Sequence, residues 1–410
     1  MNPVETGVNR IAVLAAMRQR LRLFVNCAAR CPQTGGLSLT GHAAAMKELA
    51  SWPGFQPTTL VPLKNIAFAL DIRSLWFKDE SSRFDLGSFK ALGGAYAVLR
   101  VLQREVLRQT EHEPSSEEMR NGSFAAITRG VTVTTATDGN HGRAVAWGSQ
   151  MFNSRCVVYV PKSCSRTREA AIARYGATII RTEVGYDDTV RLCASDASQN
   201  GFMLVSDTSW TGYVDIPRDI MNGYTTLVEE VLQQLPADEQ LTHVFVQGGV
   251  GGLAAAVCAH FSNRLGDSAP ALVVVEPERA ACLFASALAG RPTPAPPPVG
   301  TIMAGLDCGE VSTYAWNVLS SGAAAFITVP DAVVAPCMQL LDTPINGDQP
   351  IVAGESAVAG LAALLISAGD SVLRAALKLD ANSRVLVIGT EGNTDPEIYH
   401  SLIKSAAMND

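Results

Sequence analysis

Gly130-Val131-Thr132-Val133-Thr134-Thr135-Ala136-Thr137-Asp138-Gly139-Asn140-His141-Gly142-Arg143-Ala144-Val145-Ala146-Trp147 is the stretch that decides the fold. Its first half is an uncharged, β-branched run, the composition of a buried strand. Its last five residues read as the start of a helix. Between them stand glycines, an acid and an amide. Strand, polar glycine turn and helix together make one unit of an open α/β sheet, whose ligands bind at the turns that follow the strands. The glycines allow close backbone approach, Asn140 can donate to an oxygen, and Asp138 can take up a proton. The same residues would serve equally as a helix N-cap with no ligand.

A second unit of this kind follows. His243-Val244-Phe245-Val246 reads as a strand and Ala254-Ala255-Ala256-Val257 as a helix, with Gln247-Gly248-Gly249-Val250-Gly251-Gly252-Leu253 between them. Backbone N–H groups of such a loop can surround an anion at a helix N-terminus. No Gly-Lys-Ser/Thr follows, so it is not a P-loop. A dinucleotide fingerprint needs an acid about twenty residues on, after a second strand. Glu276, after Val273-Val274-Val275, keeps that reading open, but a monophosphate fits the loop better. A third turn, Gly389-Thr390-Glu391-Gly392-Asn393, closes the buried run Arg384-Val385-Leu386-Val387-Ile388. Thr390 there could bond a ring nitrogen without protonating it.

Upstream, Lys78-Asp79-Glu80 reads as a strand end, and Ser88-Phe89-Lys90 places an amine at a helix expected to start near Ser88. The positive end of that helix dipole should lower the lysine pKa. A partly deprotonated amine can form a Schiff base with an aldehyde cofactor.

Further strands are expected at Val157–Val160, Thr178–Ile180, Leu272–Val275 and Val385–Ile388. Helices are expected at Arg166–Tyr175, Thr189–Gln199 and Thr225–Gln234. This alternation predicts mostly parallel sheets with crossover helices. Glu111 to Gly122 reads as a polar loop, and the proline-rich run from Arg291 as a stiff surface connection.

These pieces, in this order, resemble the pyridoxal-phosphate enzymes of fold type II, the tryptophan-synthase-β and threonine-dehydratase group. The chain further resembles the diaminopropionate ammonia-lyases in Arg83 to Tyr96, Thr135 to Trp147, Ser206 to Tyr213, Ile216 to Tyr224, Thr301 to Leu306, Gly354-Glu355-Ser356 and Thr390 to Asp395. The most specific mark is Asp138, where many dehydratases carry serine.

The resemblance implies an α/β fold of two open, mostly parallel twisted sheets with helices on both faces. A large discontinuous domain (1–90 and 206–410) and a small one (91–205) would hold pyridoxal 5'-phosphate in the cleft between them. It implies Lys90 as the residue carrying the cofactor, Asn140 on its phenolic oxygen, and Thr390 at its ring nitrogen. Gly248, Gly249, Val250, Gly251 and Gly252 would hold its phosphate. The implied reaction is α,β-elimination of 2,3-diaminopropionate, D or L, through aminoacrylate to pyruvate and ammonia. Asp138 or the freed Lys90 would take the α-proton according to enantiomer, and Asp207 would bind the β-ammonium or assist its departure. Locally, Asp207 could equally be an Asx-turn or N-cap before Thr208-Ser209-Trp210.

One departure stands out. Asp85 occupies the place of the family's glycine in Arg-Phe-Gly-Leu, five residues before Lys90. It either alters substrate preference or is simply solvated. A serine- or threonine-type dehydratase and a β-replacement synthase are the neighbouring alternatives. A degenerate binding protein and a dinucleotide-dependent oxidoreductase are the distant ones.

Composition agrees. The 410 residues are enough for two domains sharing a cleft. A net charge of −7 argues against nucleic acid and anionic membrane as partners; a small amino-acid substrate is what the resemblance implies. No apolar run reaches a bilayer's width, and residues Met1 to Arg22 show no secretory pattern, which together suggest the cytoplasm. Nine scattered cysteines read as reduced core residues. Cys27 and Cys31 lack a second ligand pair, so no metal is expected. A Cys282–Cys308 disulfide is left open. A homodimer is implied by the resemblance alone.

Overall fold

The structure, a computed structural model, describes residues 11, 14, 17–27, 29, 34–297, 299–345 and 347–407. In chain order its strands are β1 (Arg22–Val25), β2 (Thr59–Pro62), β3 (Ser74–Asp79), β4 (Thr132–Ala136), β5 (Arg155–Val160), β6 (Thr178–Arg181), β7 (Met203–Leu204), β8 (His243–Gln247), β9 (Ala271–Pro277), β10 (Ala323–Val329) and β11 (Arg384–Gly389). Seven form a sheet in the order β1-β10-β9-β8-β11-β3-β2, and four form a second in the order β6-β5-β4-β7. The smaller sheet is wholly parallel. The larger is parallel through its centre and antiparallel at its two edge pairs, β1 with β10 and β2 with β3.

The central strands of the larger sheet are buried on both faces, which is why they read as continuous apolar runs rather than alternating ones. Val244, Val246, Leu386 and Ile388 face one apolar cluster, and Phe245, Val385 and Val387 face the other. The first cluster continues into the smaller sheet through Val133, Val158 and Val160. Helix Ala91–Thr110 lies in that shared cluster and packs on both helix Asn140–Met151 and helix Asp215–Gln234. Its contact with the latter needs glycine. A Cβ on Gly223 would stand 1.9 Å from the Leu92 carbonyl oxygen, and one on Gly93 would stand 2.5 Å from the Tyr224 ring.

The segment leading to Lys90 is held by buried charges. The Arg83 guanidinium bonds Glu80 at 2.9 Å and Glu230 at 2.7 Å, and Lys78 Nζ bonds Glu230 at 2.7 Å. Removing charges from water is costly, and removing one partner would leave the others unpaired. The network therefore fixes one placement of this segment.

Two expectations change, and the alternative left open at Asp85 is resolved. The helix after Lys90 begins at Ala91, not near Ser88, with Lys90 itself as its N-cap. Residues 111–122 are not wholly loop: Ser116–Arg120 is a short helix closed by a capping box between Ser115 and Glu118, a serine and glutamate three apart. Asp85 has φ 56°, the left-handed region that favours glycine, and its side chain is exposed. Glycine would meet this backbone requirement without strain, so Asp85 is a conformational cost, and its side chain is solvated and outside the cleft. Asp85→Gly is expected to raise stability by up to about 1 kcal/mol with kcat unchanged, as thermal melts and turnover would register.

Candidate active site

The turns leaving the C-terminal ends of β4, β7, β8 and β11 converge on one cleft between the two sheets. That is the end of the strands at which open α/β sheets bind ligands. Its lining includes Lys90, Asp138, Asn140, Asp207, Gly248, Gly249, Val250, Gly252 and Thr390. Gly251 is the one member of the expected set outside the lining. It lies behind the loop as N-cap of helix Gly252–Leu265, at φ 103°, where a side chain would be strained.

Lys90 is pinned from behind. The Phe89 amide donates to the Thr390 carbonyl at 3.1 Å, and the Gly392 amide to the Gly87 carbonyl at 3.0 Å. Its Nζ then reaches across the cleft to Asp207 Oδ2 at 2.6 Å. Asp207 is thus neither an N-cap nor a solvated turn acid. It also accepts from the Tyr186 hydroxyl at 3.3 Å.

This pair overturns the expected lowering of the lysine pKa. Burial alone would depress the Lys90 ammonium, but the Asp207 carboxylate against it prevails and holds it well above its ordinary range. Burial would raise the Asp207 carboxyl, yet the Lys90 charge holds it well below. An ion partner at contact distance outweighs a helix dipole, which contributes under about 1 kcal/mol at most sites. Asp138 goes the other way. Burial pushes its carboxyl up to about 6, with Arg168 and Lys90 pulling it back only in part. One cleft thus holds two acids with separated proton affinities, the arrangement that assigns acid and base roles.

Asn140 is oriented by both halves of its amide. Nδ2 donates to Glu391, and Oδ1 accepts from Arg143 at 2.7 Å. Glu391 in turn accepts from the Ser356 amide at 3.1 Å. Glu391, His141, Tyr186 and Tyr224 all line the cleft, and none was singled out in the sequence. Three of them lie inside segments already quoted. Tyr186, at the start of helix Tyr186–Asn200, carries no local signal.

Polar atoms here await a partner. His141 Nδ1 and Gln247 Oε1 are buried without a hydrogen bond among the described residues. The amides of Gly249 and Val250 likewise meet no acceptor among them, nor do the first-turn amides of the helix that follows have one within the helix. Gly249 sits at φ 57°, the left-handed region that favours glycine, and a Cβ on it would meet the Gly305 carbonyl oxygen and Leu306 only at ordinary contact distance, 3.6 and 3.7 Å. These features fit a ligand with a phosphate at the glycine loop, a polar ring beside Asn140 and Thr390, and an aldehyde within reach of Lys90.

Other readings do not fit. Glu276 accepts from the Leu283 and Phe284 amides at 2.9 and 2.7 Å, capping helix Cys282–Ala289, so it cannot serve a ribose. Cys282 and Cys308 are separate buried thiols rather than a disulfide. Cys31 of the Cys27/Cys31 pair lies outside the described residues. His42, Glu229 and His260 come within metal-ligand reach of one another. Glu229 is already engaged by His260 Nε2 at 2.9 Å and by Arg264, whose charge would repel a cation. No single helix among the described residues is long and apolar enough to cross a membrane.

Residues 52–391 match the model of the family described as pyridoxal-phosphate dependent enzyme, and the chain belongs to that family. Within it, the chain is similar to the diaminopropionate ammonia-lyase of Escherichia coli strain K12, with 38% identity over 354 residues, 85% of this chain and 88% of that one. A crystal structure of Escherichia coli diaminopropionate ammonia-lyase in complex with D-serine superposes with a TM-score of 0.86 at 35% identity, covering 94% of this chain and 97% of the other. Another, in complex with an aminoacrylate–pyridoxal-phosphate azomethine reaction intermediate, gives a TM-score of 0.84 at the same identity and coverage.

Proposed function

We propose that the chain eliminates ammonia from 2,3-diaminopropionate and releases an unsaturated amine that hydrolyses to pyruvate and a second ammonia. The observation that carries this reading is the convergence of Lys90, Asp138 and Asp207 on one cleft, in a chain similar to diaminopropionate ammonia-lyases over most of its length.

Pyridoxal phosphate, when bound, supplies an electron sink for the carbanion left when the α-proton departs. Everything else falls to the chain. Lys90 would hold the cofactor through its side-chain amine, and the same amine, when free, would accept a proton. The amides of Gly249, Val250 and Gly252 would hold the phosphate; contrary to the expectation, the Gly248 amide is taken by the Val275 carbonyl at 2.8 Å and the Gly251 amide by the Gly248 carbonyl at 3.1 Å, so these two shape the loop instead. Asn140, fixed by Glu391 and Arg143, contacts the phenolic oxygen, and Thr390 faces the ring nitrogen without protonating it. Asp138 takes the α-proton from one enantiomer and the freed Lys90 takes it from the other. Asp207 attracts the β-ammonium and holds it as its bond to carbon breaks. Residues 91–205 would form the smaller of two units around the cleft. The free thiols suit a reducing cytoplasm, and a homodimer, which gel filtration would detect, follows from the family.

For the enantiomer served by Asp138, turnover is expected to rise as pH passes about 6. Below that the carboxyl holds its proton and cannot act as a base; above it the carboxylate is free. A kcat/KM profile for each enantiomer would test this. The overall reading is tested by assaying pyruvate and ammonia from each enantiomer with the cofactor-loaded chain.

A further inference from the structure

His141 stands at the start of helix Asn140–Met151, 3% exposed, with a role that the elimination does not use. Its Nε2 lies 2.9 Å from the Val205 carbonyl oxygen, an atom that only accepts. Nε2 therefore carries the ring proton, and Nδ1 is left with a lone pair. That Nδ1 is buried without a hydrogen bond. It faces Asp207 Oδ2 at 4.0 Å, the same oxygen that holds Lys90 Nζ at 2.6 Å. Two buried acceptors facing each other are costly to maintain unless a proton can pass between them.

Lys90 supplies both the proton and the need to move it. An ammonium has no lone pair and cannot attack an aldehyde, and Asp207 holds this amine in its ammonium form. We propose that His141 is a proton-relay residue for cofactor attachment, its Nδ1 accepting through the Asp207 carboxyl the proton that Lys90 must shed. The inference rests on the pyridoxal-phosphate reading of the cleft.

The step balances. Lys90 gives one proton to Asp207 Oδ2, and the carboxyl, turning about its Cβ–Cγ bond, passes it to His141 Nδ1. The freed Nζ lone pair bonds to the aldehyde carbon while the carbon–oxygen bond breaks. The oxygen leaves as water, taking back the relayed proton and a second one from Nζ. The titratable groups around the relay are Lys90 and Asp207, then Tyr186, Tyr213 and Cys308 near Asp207, Tyr224 beside Lys90, and Asp138 at the turn before His141. Burial disfavours the charged imidazole, so the ring is neutral at rest, with the lone pair of Nδ1 turned to Asp207.

His141→Gln tests this in the full chain freed of cofactor. The glutamine amide can still donate to Val205 but offers no base in place of Nδ1. Loading is followed by the visible band of lysine-bound cofactor and by the mass of the borohydride-fixed Lys90 adduct, from about pH 6 to about pH 9. The variant should load at least about tenfold more slowly at neutral pH. The gap should close as pH rises and hydroxide takes over the proton. Binding of pyridoxamine phosphate, which has no aldehyde, should match the parent chain. Equal loading rates at every pH would overturn the relay. So would a constant slowing, or a matching loss of pyridoxamine phosphate binding, since either marks a structural role. Failure of the parent chain itself to load would overturn the cofactor reading, and the relay with it.

Discussion

Replacing Lys90 by alanine lowers elimination by roughly 10³-fold or more and abolishes the borohydride-fixed adduct. The reason is specific to its position. Lys90 is the amine in the lining that points across the cleft, and Phe89 and Gly87 on its own segment are tied to the turn after β11. The variant also carries a stability signature. In the cofactor-free chain, Asp207 keeps its low pKa chiefly because Lys90 stands 2.6 Å away. A carboxyl whose folded pKa is depressed contributes stability above the unfolded value of about 3.9 and loses it as pH falls. Lys90→Ala removes that contribution, so it destabilises the chain at neutral pH by about 1–3 kcal/mol and much less in acid. Melts at the two pH values, together with turnover, distinguish this from a variant that merely misfolds.

The second large effect separates the two acids. Asp207→Asn is expected to lower kcat by about 10²–10⁴-fold for both enantiomers, because each must expel the same β-ammonium. Asp138→Asn should cost one enantiomer a similar factor and leave the other within about tenfold. Both variants should still form the Lys90 adduct. Asparagine beside Lys90 removes the charge that holds the amine protonated, so cofactor loading by Asp207→Asn should extend to lower pH. Equal losses on both enantiomers from Asp138→Asn would show that Asp138 is not the base that discriminates between them.

Much of this site was legible in the chain because its parts are local. Strand, glycine turn and helix occur together in the residues around Asp138 and around Gly248–Gly252, and each unit folds as read. β11 and Thr390 follow the same logic. What the sequence hid is long-range. Lys90 and Asp207 are far apart in the chain, and only the placement of the smaller sheet against the larger brings them together. A dipole argument made from the helix start alone therefore gave the wrong sign for Lys90. The same holds for Glu276, whose spacing suits a ribose but whose carboxylate turns to the amides of Leu283 and Phe284. Asp85 shows a third kind of limit. Its departure from glycine reads as a charge in the sequence, whereas the structure makes it a matter of φ. The edge strands β1 and β2, four residues each, were too short to leave a pattern.

The most direct test of the central claim is to give the purified chain, loaded with pyridoxal phosphate, D- and L-2,3-diaminopropionate in turn and to measure pyruvate and ammonia together. The account predicts pyruvate with both nitrogens released as ammonia, from a chain whose visible cofactor band vanishes in Lys90→Ala. A cofactor band without pyruvate from either enantiomer, or faster pyruvate release from serine or threonine than from the diamine, would contradict it.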